Sequence, residues 1–142
     1  MDKYLIHRAY ILFLSGIKDE NGIVRIKDEY NKTIEIQFLN NSSKDYIVYW
    51  YYDNGQIWYH CQYKNNKLYG DYVWYYESGK ICYQSQYKND KHHGDCVYYY
   101  ESGQIWYHCQ YKNDKLHGNY ICYDENGKIK YQKQYKDGEL IE

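Results

Sequence analysis

A 24-residue period runs through most of this chain. Gly55, Gly79, Gly103 and Gly127 fall 24 positions apart, and so do Gly70, Gly94 and Gly118. Tyr59, Tyr83, Tyr107 and Tyr131 keep the period, as do Tyr63, Tyr87, Tyr111 and Tyr135 and the row Ile57, Ile81, Ile105 and Ile129. The units read as 48–71, 72–95, 96–119 and 120–142. A unit this short cannot bury a core by itself, so successive copies must stack, each touching only its neighbours. The stretch GQIWYHCQYKN occurs identically at 55–65 and 103–113, two periods apart. Duplication of a two-unit block explains that identity, and shared residues owe their sameness to copying before any role is assigned to them.

Each unit reads as a β-hairpin plus a connecting turn. Unit two shows the parts: YVWYY, then ESGK, then ICYQSQY, then KNDKHHGD. The turns DNG, ESG, ESG and ENG supply glycine where a tight reversal demands a positive φ. The composition agrees: 24 tyrosines, no proline and a single alanine, Ala9, favour strand over helix. The fold class is therefore all-β, an elongated single-layer array of antiparallel hairpins. Period-two alternation predicts Ile57, Tyr59, Cys61 and Tyr63 on one face of a strand, with Gln56, Trp58, His60 and Gln62 on the other. The first set is nearly constant between units and is expected to pack. The second varies, which makes Trp58, His60, Trp106 and His108 the candidate interaction surface, with aromatic side chains as anchors.

Residues 1–45 depart from the period. AYILFL at 9–14 and IEIQFL at 34–39 read as strands, and NNSSKD at 40–45 as a polar loop. DENG at 19–22 recurs at 124–127, and Gly22 and Tyr30 share the spacing of Gly127 and Tyr135, which points to a degenerate unit displaced by an insertion. The segment is expected to be a capping β-meander over the first hairpin, ahead of the four repeats of 46–142. At the other end, the strand near Tyr131 to Tyr135 is expected to be a sheet edge. Lys128, Lys130, Lys133 and Lys136 cluster there, and lysine is a common guard against edge-to-edge growth. The oligomeric expectation is a monomer or an edge-mediated dimer.

The run Y-x-x-Q-Y-K-N-D-K-x-H-G at 107–118 resembles the MORN (membrane occupation and recognition nexus) repeat. Tyr107 and Tyr111 match its two aromatic positions, and Asn113, Lys115, His117 and Gly118 match the turn that follows. The likeness is nearest to bacterial and giant-virus variants, some of them described as antitoxin components. It covers about 46–142 and implies a hairpin array acting as a non-enzymatic scaffold or adaptor for protein partners. The family's glycine between the aromatics is Cys61, Ser85, Cys109 and Lys133 here, and that departure speaks against direct membrane binding.

Other functions are disfavoured by the residues themselves. With 18 basic and 19 acidic side chains the net charge is −1, so there is no general attraction to nucleic acid or anionic membrane. Lys64, Lys88 and Lys112 form a row joined by Lys67, Lys91 and Lys115, but Asp71, Asp95 and the turn acids offset it. The five cysteines, Cys61, Cys82, Cys96, Cys109 and Cys122, are odd in number and lack a CxxC pair. Reduced thiols in an intracellular compartment are the simpler reading. The apolar run after Lys3 and Arg8 lacks the length and cleavage site of a signal peptide. Neither His60-Cys61 and His108-Cys109 nor the His92, His93 and Cys96 cluster has the spacing of a metal site. The expectation is no catalytic, cofactor-binding or metal-binding residue. A rival reading comes from WYYDNGQIWY at 50–59, which is similar to the aromatic-box hairpins of glycan- or choline-binding cell-wall proteins.

Overall fold

The computed structural model describes residues 2–141. Helix α1 (Lys3–Leu14) is followed by eleven strands: β1 (Ile23–Lys27), β2 (Thr33–Phe38), β3 (Tyr46–Tyr51), β4 (Ile57–Lys64), β5 (Lys67–Tyr75), β6 (Ile81–Lys88), β7 (Lys91–Tyr99), β8 (Ile105–Lys112), β9 (Lys115–Tyr123), β10 (Ile129–Lys136) and β11 (Glu139–Leu140). All pair in chain order as a single antiparallel sheet. The repeat region is thus the expected single-layer hairpin array.

Two kinds of turn alternate. At one long margin of the sheet, two-residue turns hold Asn65 and Asn66, Asn89 and Asp90, and Asn113 and Asp114, all at positive φ. Asn and Asp tolerate that region better than other residues with a side chain. The lysines flanking these turns face each other directly: Lys64 with Lys67, Lys88 with Lys91, Lys112 with Lys115. At the opposite margin the D/E-x-G turns close by a Gly55 N–H to Tyr52 carbonyl bond and its equivalents. There the hydroxyls of Tyr52, Tyr76 and Tyr100 donate to the carbonyls of Tyr75, Tyr99 and Tyr123 at 2.8, 2.6 and 2.9 Å. Each tyrosine thereby ties one hairpin to the next, and the tie ends where Asp124 takes the tyrosine's place.

The first segment corrects the sequence expectation. AYILFL forms the second half of α1 and is not a strand, so the described part of the segment 1–45 is a helix with a hairpin rather than the expected β-meander. The cause lies in a longer window. Ile6, Ala9 and Phe13, three and four residues apart, are the buried residues of α1, and the Asp2 carboxylate caps the helix by accepting the Tyr4 N–H at 2.9 Å. This face of α1 packs on Val24, Ile26, Ile34, Ile36, Phe38, Tyr46 and Val48. The largest aliphatic core of the protein therefore sits between α1 and β1–β3.

Regular alternation also fails at a defined place. Between β3 and β4 the register pairs Trp50 with Tyr59 but Tyr51 with Ile57, leaving Trp58 as an extra residue. The same bulge leaves Cys82 in β6, Trp106 in β8 and Lys130 in β10 unpaired. Neighbours along a strand point to opposite faces, so Ile57 follows Tyr51 and lies opposite to Tyr59. The predicted grouping of Ile57 with Tyr59, Cys61 and Tyr63 is therefore wrong at its first member. At the other end, the edge of β10 is partly covered: β11 pairs Leu140 with Tyr135 and Glu139 with Lys136, and Ile141 N–H donates to the Gln134 carbonyl at 2.8 Å.

Candidate interaction surface

The face of the sheet that α1 covers over β1–β3 continues across β4–β10, where no described element lies over it. Its rings form a row along the array. Trp50 stacks on Tyr59 at 4.5 Å between centroids and Tyr59 on Trp74 at 5.0 Å. Tyr98 packs against Tyr83 and Tyr107, each at 4.3 Å, and Tyr107 stacks on Tyr120 at 5.4 Å. A second row near the Asn/Asp turns includes Tyr46 stacked on Tyr63 at 4.9 Å, and His92 between Tyr87 and Tyr111 at 4.3 and 4.8 Å. Between the rows lie small side chains, Cys61, Ser85, Cys96 and Cys109, all buried. The rings fold over this floor, which explains how a single-layer sheet can bury anything. Most of the rings remain half-buried, with one surface toward solvent.

The four candidate residues separate into two pairs. Trp58 meets Trp74 at 5.6 Å and Tyr59 at 5.0 Å, both near-perpendicular. Trp106 meets Tyr107 and stacks on Tyr100. Both tryptophans therefore belong to the aromatic face, delivered there by the bulge, and are 36% and 43% exposed. His60 lies between Tyr49 and Tyr75 on the reverse face, and His108 Nε2 is 3.1 Å from Asp95 Oδ1. The sequence reading had put all four on one surface. It also missed Trp50 and Trp74 as members of the aromatic row, although their place opposite Tyr59 follows once hairpin register is known.

The repeat-defining residues act as the period implied. Tyr59, Tyr83 and Tyr107, with Tyr63, Tyr87 and Tyr111, form the two rows, and Tyr131 and Tyr135 extend them to β10 with Tyr131 packing on Tyr120. Gly55, Gly79, Gly103 and Gly127 occupy the D/E-x-G turns at positive φ. Gly70, Gly94 and Gly118 sit where three residues of one strand oppose a single residue of its partner.

Burial opposes charge on this face. It pushes the phenols of Tyr46, Tyr87 and Tyr111 up to about 12, and the Cys61 thiol up to about 11. Burial also lowers the His60 and His92 imidazoles. Cys61 and Cys109 lie on the aromatic face while His60 and His108 lie on the reverse, so neither His-Cys neighbour pair makes a nucleophile–base contact. Among the described residues no group of three His, Cys, Asp or Glu side chains could hold a metal ion, and no helix is long and apolar enough to cross a membrane.

A sheet of hairpins in chain order, with a periodic aromatic face and neighbour-to-neighbour ties, defines a repeat-array protein. The family model described as the MORN repeat variant matches residues 45–65, 68–89, 93–113 and 116–137, and the chain belongs to that family. No curated protein matches the chain. Among solved structures, a mutant of S. aureus TarM in complex with Fondaparinux, alpha-GlcNAc-glycerol and UDP matches 81% of this chain at 14% identity, with a TM-score of 0.38. The chain spans 24% of that protein's length, and a likeness of this order carries no argument about function.

Proposed function

We propose that this protein is a non-enzymatic scaffold or adaptor that docks a protein partner on its aromatic face. The observation that carries this reading is the continuity of that face. Over β1–β3 it is closed by α1, and over β4–β10 the same side of the sheet presents half-buried rings with no described element laid over them. Aromatic side chains held rigid by stacking lose little entropy on binding and make effective anchors. Trp58 and Trp106 are the anchors on this reading, and His60 and His108 are not part of the same surface. The five free thiols fit an intracellular, reducing setting, the cytoplasm of a cell or of a virus-infected host.

The aromatic-box reading ranks second. A cleft of ≈ 360 Å³ is lined by Tyr30, Trp50, Tyr52 and Trp58 with Asp28 and Asp53. Lys32 Nζ, however, lies 2.6 Å from Asp53 Oδ1 at that cleft, so one of the cleft's two carboxylates is already paired with a side chain. Affinity capture from an extract of the source organism tests the first reading. The wild type should retain a protein that the Trp58→Ala, Trp106→Ala variant releases, with circular dichroism confirming that the variant is folded. Retention of the wild type on choline resin or insoluble glucan, with no captured protein, would reverse the order of the two readings.

A further inference from the structure

We propose that Cys96 and Cys109 form an oxidation site that takes a hydroperoxide and closes to a disulfide joining β7 to β8. This is independent of the docking reading. The two residues are direct register partners across the antiparallel pair. Directly opposed residues in such a ladder have Cα atoms about 4.5 or 5.5 Å apart, inside the 4.4–6.8 Å range that a disulfide spans. The register therefore places the two residues within disulfide reach. At the equivalent positions of the other hairpins the partners are Val48 with Cys61, Tyr72 with Ser85, and Tyr120 with Lys133. Only the β7–β8 pair brings two thiols together there.

Cys96 keeps a trace of exposed surface and Cys109 none, so Cys96 meets the peroxide first and Cys109 lies behind it as the resolving thiol. The neighbouring Cys109 thiol, and after it the Tyr83 hydroxyl, favour the thiolate of Cys96 against the opposing effect of burial. Cys96 Sγ attacks the O–O bond, an S–O bond forms, and the released oxygen takes a proton to leave as water or an alcohol. Cys109 Sγ then attacks that sulfur, the S–S bond forms, the S–O bond breaks, and hydroxide takes the Cys109 proton to leave as water. Two electrons pass from the thiols to the peroxide. Cys96 is 3% exposed and Cys109 0%, so reaction waits on movement of the rings packed around them, Tyr83, Tyr98 and Tyr107 among them. Hydrogen peroxide is small enough to enter when they part. The site is slow and selective, with a second thiol poised to resolve the first.

The duplication supplies an internal control. Cys61 sits in the same IWYHCQY sequence as Cys109 and is equally buried, but Val48 and Tyr72 oppose it. The reduced full-length chain is treated with hydrogen peroxide, denatured, alkylated and mapped by mass spectrometry. The expected product is one linked pair of peptides carrying Cys96 and Cys109, with Cys61 and Cys122 recovered as alkylated thiols. The oxidised protein should melt several degrees above the reduced one, and dithiothreitol should return it. A Cys109→Ser variant should leave Cys96 as a sulfenic acid that dimedone traps, and Cys61→Ser should leave the linked product unchanged. Equal alkylation of Cys96, Cys109 and Cys61 in the wild type would overturn the proposal. So would a mixed disulfide of Cys96 with Cys82 of another molecule, and both outcomes are read without any variant having to fold.

Discussion

Gly103 and Gly118 both adopt positive φ, at 94° and 107°, but their surroundings differ. A Cβ on Gly103 would meet open space, whereas one on Gly118 would run into the side-chain oxygen of Gln110. Gly103→Ala should therefore cost only the backbone preference, about 1 kcal/mol. Gly118→Ala should cost only a few tenths of a kcal/mol more, about what swinging the exposed Gln110 amide away from Asp95 Oδ1 requires, and Gln110→Ala in the same chain should remove that excess. Urea unfolding of the three proteins measures this directly. The histidines give a pH dependence of known sign. Burial lowers His60 and His92 in the folded protein, so the unfolded chain binds protons more readily. Their contribution is fully present above the ordinary histidine value of about 6.5 and is lost as pH falls below it. The urea midpoint should drop between pH 7.5 and 5.5, and His92→Gln should flatten that drop. The glycine and tyrosine periods were readable in the sequence because each answers a local demand, a turn or a stacked ring. The facing of Trp58 and Ile57 was not, because a bulge of one residue reverses alternation and leaves no mark in composition.

At the scale of elements, α1 is the largest departure from what the sequence suggested. A six-residue apolar window fits strand and helix equally, and the strand-rich context tipped the reading the wrong way. The decisive pattern was Ile6, Ala9 and Phe13 behind the cap Asp2, which needs a twelve-residue window. Phe13 is 6% exposed and packs on Phe38 at 5.3 Å. Phe13→Ala should destabilise the protein by about 3–5 kcal/mol. Ala9 has no exposed surface, and Ala9→Leu should cost roughly 1–3 kcal/mol by lifting the helix from the sheet. Denaturant unfolding followed by circular dichroism checks both. The D/E-x-G turns and the strands on either side of them were readable, but the stretch KNDKHHGD, expected as a connecting turn, is only a two-residue turn at Asn89 and Asp90. Lys91 to Asp95 already belong to β7, where Lys91 and His92 pair with β6. What pairing register added was the identity of the bulge residue, which is Trp, Cys, Trp and finally Lys at 58, 82, 106 and 130.

The whole molecule is an open sheet, and an open sheet has to manage both its edges and its faces. β11 and Ile141 pair with the last three residues of β10, and no other described residue pairs with the outer edge of Ile129–Lys133. Lys130 stands in the bulge there, and Lys133 lies on the aromatic face with its Nζ 5.5 Å from the Tyr131 ring centroid. If these charges hold the end of the array apart from other copies, Lys130→Trp with Lys133→Cys should raise the mass measured by light scattering as concentration rises, in the presence of reductant. An unchanged mass would show that they do not. The faces carry the larger claim, that the protein acts through the side of the sheet that α1 leaves open. The sequence reading grouped Trp58, His60, Trp106 and His108; the fold splits them by face, and that split makes the most direct test. The captured partner's affinity is measured by calorimetry for three proteins: wild type, Trp58→Ala with Trp106→Ala, and His60→Ala with His108→Ala. Loss of at least tenfold in affinity for the tryptophan variant, with the histidine variant unchanged, is the predicted result. The reverse pattern, or equal losses in two folded variants, would contradict the assignment of the docking surface to the aromatic face.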